Sequence, residues 1–123
     1  MYLIGQDHPN KNLTIVNLER LVQENKRLVS SAEVLQEILH RYTAINRKGA
    51  IQPAFDVLKK ITDEIYDINI GHVENAKELI LAYENLSARD AIHLAIMKHH
   101  GIKTIFSFDK GFDQVPEISR MPL

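Results

Sequence analysis

The stretch from Ser87 to Asp113, SARDAIHLAIMKHHGIKTIFSFDKGFD, restricts the fold more than any other part of the chain. From Ala91 to Met97 every residue except His93 is apolar. A helix with no polar face has nowhere to sit but inside the protein. Ser87 suits its N-cap, and Asp90 puts a negative charge in the first turn, where the helix dipole favours one. Lys98, His99, His100 and Gly101 then supply cationic last-turn residues and a glycine stop. Ile102 to Phe108 is rich in β-branched and aromatic residues and reads as a strand ending at Asp109, followed by Lys110-Gly111-Phe112-Asp113.

A carboxylate at a helix start and another at the carboxyl end of a strand lie where α/β proteins place their chemistry. Each also has a purely structural reading. Ser87 and Asp90 have the spacing of a capping box, and Asp109 is a good first residue of a turn. His93, one helical turn beyond Asp90, is open between a hydrogen-bonded core histidine and a member of a site.

The 123 residues suffice for one domain with one core. There is no cysteine, which excludes disulfides and thiolate metal sites. No apolar run approaches the roughly 20 residues of a membrane span and no signal-peptide pattern is present, so a cytoplasmic location and no membrane partner are expected. The formal net charge of −1 provides no global attraction to nucleic acid. Locally, Arg41, Arg47, Lys48, Lys59 and Lys60 stand against a single Asp56 between Ile38 and Ile61. Such a run reads either as a phosphate-contacting flank, with Arg41, Arg47 and Lys48 its candidate residues, or as a solvated helix face.

In chain order, Met1–Gly5 is mostly apolar and is followed by the turn-forming Asp7-His8-Pro9-Asn10. Leu13, Val16, Leu18, Leu21 and Val22 recur at helical spacing to about Asn25. Arg27–Ser30 reads as a short strand feeding a helix capped by Ser30 or Ser31. In that helix Val34, Leu35, Ile38, Leu39, Tyr42 and Ile45 form the apolar stripe, and Glu33, Glu37 and Arg41 form a polar row. Periodicity alone therefore makes Glu37 a surface charge beside Arg41. Pro53 suits the first turn of a helix running to about Lys60. Asp63–Ile68 alternates as a strand, Val73 to Tyr83 reads as a further helix, and Ile118 to Leu123 as an edge strand after Pro116. Strands alternating with helices predict a parallel sheet covered on both faces.

The runs Ala88-Arg89-Asp90-Ala91-Ile92-His93-Leu94-Ala95 and Ile105-Phe106-Ser107-Phe108-Asp109-Lys110-Gly111-Phe112-Asp113 resemble the C-terminal half of PIN-domain nucleases. The similarity is strongest to the toxins of VapC-type toxin–antitoxin pairs. Ser31–Leu39 resembles the same family, so the likeness spans almost the whole chain. It implies a three-layer α/β fold in one domain over residues 1–123 and a metal-dependent endoribonuclease. By resemblance, Glu37, Asp90 and Asp109 are the catalytic and metal-ligating residues and Asp113 an outer-shell helper. Three acids gathered in one cleft repel by about 4 kcal/mol per pair at ~4 Å and an effective dielectric near 20, so a cation is expected. Oxygen ligands favour Mg²⁺ or Mn²⁺. The implied partners are an RNA substrate and a small antitoxin protein, with a homodimer allowed.

In one respect the chain departs from the family. Its members end their first strand in an aspartate followed shortly by asparagine, and Met1-Tyr2-Leu3-Ile4 resembles the helical segment that comes next. Asp7 lies too far along to match. The chain is therefore expected to lack the first central strand and first carboxylate, to be N-terminally incomplete, and to be poorly stable and feebly active. The rival expectation is a catalytically inactive remnant that binds an antitoxin or RNA without cutting. A receiver-like phosphoacceptor is a weaker rival, because no adjacent acidic pair follows a first strand.

Overall fold

In the computed structural model, residues 2–3, 20, 23–24, 26–107 and 109–121 are described. The helix expected over Leu13–Asn25 and the turn at Asp7–Asn10 lie outside the described residues, apart from Arg20, Gln23 and Glu24 in the former. Five parallel strands form one sheet: β1 (Tyr2–Leu3), β2 (Val29–Ser31), β3 (Glu64–Tyr66), β4 (Thr104–Phe106) and β5 (Ser119–Met121), in the order β3-β2-β1-β4-β5. Among the described residues, four complete α-helices accompany them: α1 (Ala32–Ala44), α2 (Ile51–Ile61), α3 (Ile70–Ala82) and α4 (Ala88–His99). Short 3-10 turns occupy Lys48–Ala50 and Lys110–Gln114. The α/β architecture with a parallel sheet is the one read from the sequence.

The central position of the sheet departs from expectation. It is not vacant: Tyr2–Leu3, expected to be helical, form a two-residue strand between β2 and β4. Tyr2 pairs in register with Val29 on one side and Ile105 on the other. Without a strand there, the facing backbone groups of β2 and β4 would stay unpaired in the interior, and this is a strong reason for any apolar, extended segment to enter.

Three of the described helices, α1, α3 and α4, begin at a side-chain cap, whereas α2 follows Ala50 without one. Ser31 Oγ accepts from the Glu33 amide at the start of α1, and Ser87 Oγ accepts from the Asp90 amide at the start of α4. α3 has a reciprocal box: Asn69 Oδ1 accepts from the His72 amide, while His72 Nδ1 accepts from the Asn69 amide. His72 is buried and its pKa is lowered, first by that burial and then by the neighbouring His99 and His100. Beyond α4, Gly101 takes φ +67°, a left-handed conformation that releases the chain toward β4.

The core gathers around α4, as its composition demanded. Ala91, His93, Leu94, Ala95, Ile96 and Met97 are all buried, against Tyr2, Val29, Ile105 and Phe112. α3 covers α4 through Ala76 and Leu79. No helix among the described residues is long and apolar enough to cross a membrane.

Ile96 has no exposed surface, so Ile96→Ala should cost about 2–5 kcal/mol through lost burial and the cavity left behind. Leu81 is 79% exposed on α3, and Leu81→Ala should stay within about 0.5 kcal/mol of the parent. Urea midpoints of the two variants check this, and equal shifts would contradict the assignment of α4 as the centre of the core.

Candidate active site

Because the strands run parallel, β2 and β4 end on the same side of the sheet. Ser31 leads straight into α1 there, and Ser107 leads into Asp109. A helix that precedes a strand in a parallel sheet starts near the edge where strands end, so the first turn of α4 arrives at the same place. Chain geometry thus converges on one edge before any side chain is considered.

Asp90 and Asp109 meet at this edge. Their carboxyl groups are within hydrogen-bonding reach, and the pKa of Asp90 is raised to about 6. Burial is the larger cause; the hydrogen bond and the like charge of Asp109 add to it, while Ser87 and His93 act in the opposite direction. Asp109 is fixed twice. Its amide donates to Ser107 Oγ at 3.0 Å, and its Oδ1 accepts from the Gly111 amide at 2.8 Å. Gly111 suits that turn, since an added Cβ would stand 3.1 Å from the same Oδ1. The turn-forming and site readings of Asp109 are therefore both satisfied by one geometry.

Glu37 enters from α1 through His93. Glu37 Oε1 lies 2.9 Å from His93 Nε2, and the Glu37 side chain is only 15% exposed. An ionised carboxylate can only accept, so Nε2 carries the proton. His93 Nδ1 is 2.6 Å from the hydroxyl of Tyr2, which is also 2.6 Å from Ser31 Oγ. Ser31, Tyr2, His93 and Glu37 form a continuous buried chain joining β2, β1, α4 and α1. The Tyr2 hydroxyl is pushed up in pKa by burial first, and by the charges of Glu37 and Glu33.

The sequence pattern placed the Glu33–Glu37–Arg41 row on a solvent face, and the structure corrects this for its first two members. Glu33 is 8% exposed, and its pKa is raised by burial first and then by Glu37, with His93 and Arg89 pulling it down. α1 leaves Leu39 and Ile45 of its apolar stripe 45% and 46% exposed and turns Glu33 and Val34 into the protein instead. Asp113 does not join the cluster. It is exposed and bound to Arg120, with Nε and Nη2 at 2.9 and 3.2 Å from its two oxygens, and Arg120 lowers its pKa. Arg41, Arg47 and Lys48 are exposed at the end of α1 and in the turn beyond it. Sequence reasoning left out His93, Tyr2, Ser31 and Glu33. The available signal was His93 itself, a single polar residue in an otherwise apolar helix.

The donor set is one of carboxylate oxygens, with Asp90 and Asp109 close enough for the charge of one to disfavour ionisation of the other. Such a set fits a hard divalent cation, which would relieve that repulsion.

Comparison with known proteins agrees with this picture. The chain matches the PIN domain over residues 1–118. It is 50% identical over 121 residues to a VapC ribonuclease of Mycobacterium bovis, covering 98% of this chain and 92% of that protein. Ribonuclease VapC23 of Mycobacterium tuberculosis is 34% identical over 109 residues, covering 89% of this chain and 86% of the relative. Among solved structures, the VapC20 toxin of Mycobacterium tuberculosis, described as cleaving the sarcin–ricin loop, superposes with a TM-score of 0.72 at 17% identity, covering 94% of each chain. The VapBC2 complex of Rickettsia felis, bound to a promoter DNA fragment, gives a TM-score of 0.70 at 19% identity, covering 97% of this chain and 96% of that one.

The Asp90 shift has a consequence for stability. Its folded pKa of about 6 exceeds the ordinary 3.8, so between those values the folded state binds more protons than the unfolded one. Stability should then fall as pH rises from about 4 to 6. Urea unfolding in metal-free buffer should show this loss, and Asp90→Asn should flatten it and be the more stable form at pH 7. An unchanged pH profile in the variant would contradict the Asp90–Asp109 contact.

Proposed function

The chain belongs to the PIN-domain family, and on that premise we propose that it is a ribonuclease of the toxin type, hydrolysing RNA phosphodiester bonds at the edge where Asp90 and Asp109 meet. The observation that carries the reading is the raised pKa of Asp90 beside Asp109. Two carboxyls forced together are a poor structural device and a good cation site. Support also comes from the relatives named as VapC ribonucleases, one of them 50% identical to this chain.

Glu37, Asp90 and Asp109 would hold the cation, and their oxygens favour Mg²⁺ or Mn²⁺. Bound there, such a cation lowers the pKa of an attacking water and offsets charge developing on the phosphodiester. The rest falls to the chain's own groups. His93 keeps Glu37 from turning to solvent through a 2.9 Å hydrogen bond. Ser107 and Gly111 fix the rotamer of Asp109. Arg41, Arg47 and Lys48 contact the RNA backbone as charged groups beyond the acidic edge. A small antitoxin closes the site by offering arginine to the same carboxylates, a pairing that the planar guanidinium fork suits; the Klebsiella pneumoniae toxin–antitoxin complex, with a TM-score of 0.63, shares the fold.

One observation favours a second reading. The family resemblance calls for an aspartate at the end of the first strand, whereas in this sequence Tyr2–Leu3 is followed by Ile4-Gly5-Gln6, and the Tyr2 hydroxyl already serves His93 and Ser31. On that reading the chain is a binding module for antitoxin or RNA without cleavage.

RNA incubated with the protein and Mn²⁺ separates the two. A nuclease should cleave, stop on chelation, and lose at least about 100-fold in rate in Asp90→Asn or Asp109→Asn while still binding RNA, because removing a ligand removes transition-state stabilisation. Absence of metal-dependent cleavage, with RNA or antitoxin binding retained, would establish the binding module instead. The same two variants should weaken capture of the small antitoxin, and unchanged affinity in both would move its docking site away from the carboxylates.

A further inference from the structure

At the other end of α4 from Asp90 stands a second group of titratable side chains that the ribonuclease reading does not use. His72, His99 and His100 each offer a ring nitrogen within 4.8 Å of the others. His72 Nε2 and His99 Nδ1 are 2.7 Å apart, and the His99 and His100 ring centres 4.4 Å. His100 is held by stacking on Tyr66, with centroids 3.6 Å apart and planes 9° from parallel. His72 is fixed by the α3 capping box and by its burial, at 3% exposure. His99 and His100 are exposed, which leaves the group open to ions from solvent.

Read from sequence, His99 and His100 would simply place positive charge at the carboxyl end of α4. The structure argues otherwise, because His99 turns its Nδ1 toward another imidazole. A hydrogen bond between two imidazole nitrogens needs one of them unprotonated, so this pair is not doubly charged. Three imidazoles with converging nitrogens, at the carboxyl end of a helix where the dipole favours a cation, are a ligand set.

We propose that His72, His99 and His100 bind one divalent transition-metal ion of the zinc type, clamping the first turn of α3 to the last turn of α4. Imidazole donors favour such ions over Mg²⁺, which takes oxygen ligands. At metal–nitrogen distances of about 2.0–2.1 Å, tetrahedral ligands lie roughly 3.3 Å apart. The His72–His99 pair therefore opens by about half an ångström, and His100 closes on them.

The proton accounting is definite. His72 Nδ1 accepts from the Asn69 amide, so the ring proton sits on Nε2 and is donated to His99. Ligation through Nε2 transfers that proton to Nδ1 and ends the hydrogen bond from the Asn69 amide. The reciprocal bond, from the His72 amide to Asn69 Oδ1, is untouched. The capping box thus drops from two bonds to one while the metal adds three. His99 lies nine positions beyond Asp90 along α4, roughly 13–14 Å at 1.5 Å per residue, so the ion is remote from the acidic edge. Its role there is to stabilise the α3–α4 pair.

The test uses the untagged full chain, stripped with chelator and titrated calorimetrically with Zn²⁺, with Co²⁺ as a spectroscopic stand-in. With excess Mg²⁺ present to occupy the acidic edge, one equivalent should bind, raise the melting temperature and, for Co²⁺, give the visible absorption of a nitrogen-ligated ion. An excess of Mg²⁺ should not compete. His99→Gln and His100→Gln, both at exposed positions and so tolerable to the fold, should each weaken binding at least about 10- to 100-fold. Asp90→Asn/Asp109→Asn should bind Zn²⁺ as the parent does, whether or not RNA cleavage is observed, which keeps this site distinct from the acidic one. No saturable Zn²⁺ binding, unchanged affinity in both histidine variants, or loss of binding in the double aspartate variant would each overturn the proposal.

Discussion

An imidazole with no exposed surface must satisfy both ring nitrogens from protein groups, and in this chain that imidazole is His93. It sits midway along a helix buried on nearly every side, so water cannot serve it. Its two partners come from different elements: Tyr2 from the central strand and Glu37 from α1. The requirement therefore fixes the register of α1 against α4 and seats β1 between β2 and β4. It also determines which way Glu37 points. A carboxylate that periodicity would leave in solvent is turned toward α4 instead.

α4 carries the organisation further because its polar groups are confined to its ends and to this one ring. The first turn brings Asp90 to Asp109, whose like charge adds to burial in raising its pKa, while Asp113 is engaged by Arg120. The last turn brings His99 and His100 to the buried His72. One rigid helix thus holds two clusters of different chemistry apart, oxygen donors at one end and nitrogen donors at the other. Hard cations suit the first and borderline transition metals the second, so the two need not compete.

The central strand shows how strongly a sheet position selects its occupant. Tyr2–Leu3 enter it although their family likeness suggested a helix, because β2 and β4 present backbone groups on both sides that need partners. The tyrosine that arrives with them places a hydroxyl among Ser31, His93, Glu37 and Glu33. Its hydrogen bonds tie the strand to the acidic edge, which makes the site partly a product of sheet pairing.

What the sequence determined by itself was local. The apolar run Ala91–Met97 demanded a buried helix with Ser87 as its start, Ser30 or Ser31 the start of another, Gly101 a left-handed stop, and the alternation of strands and helices a parallel sheet. Each of these follows from steric and hydrogen-bonding preferences acting over a few residues. Asp90 and Asp109 were legible as candidates for the same reason, since helix starts and strand ends can be read along the chain. Only the tertiary structure decided that Glu33 and Glu37 face inward, that Asp113 goes to Arg120, that Tyr2 fills the central strand, and that His72 meets His99 across 27 positions. Those outcomes depend on which surfaces pack together, and a buried polar group takes its partner from wherever the fold brings one, however distant in sequence.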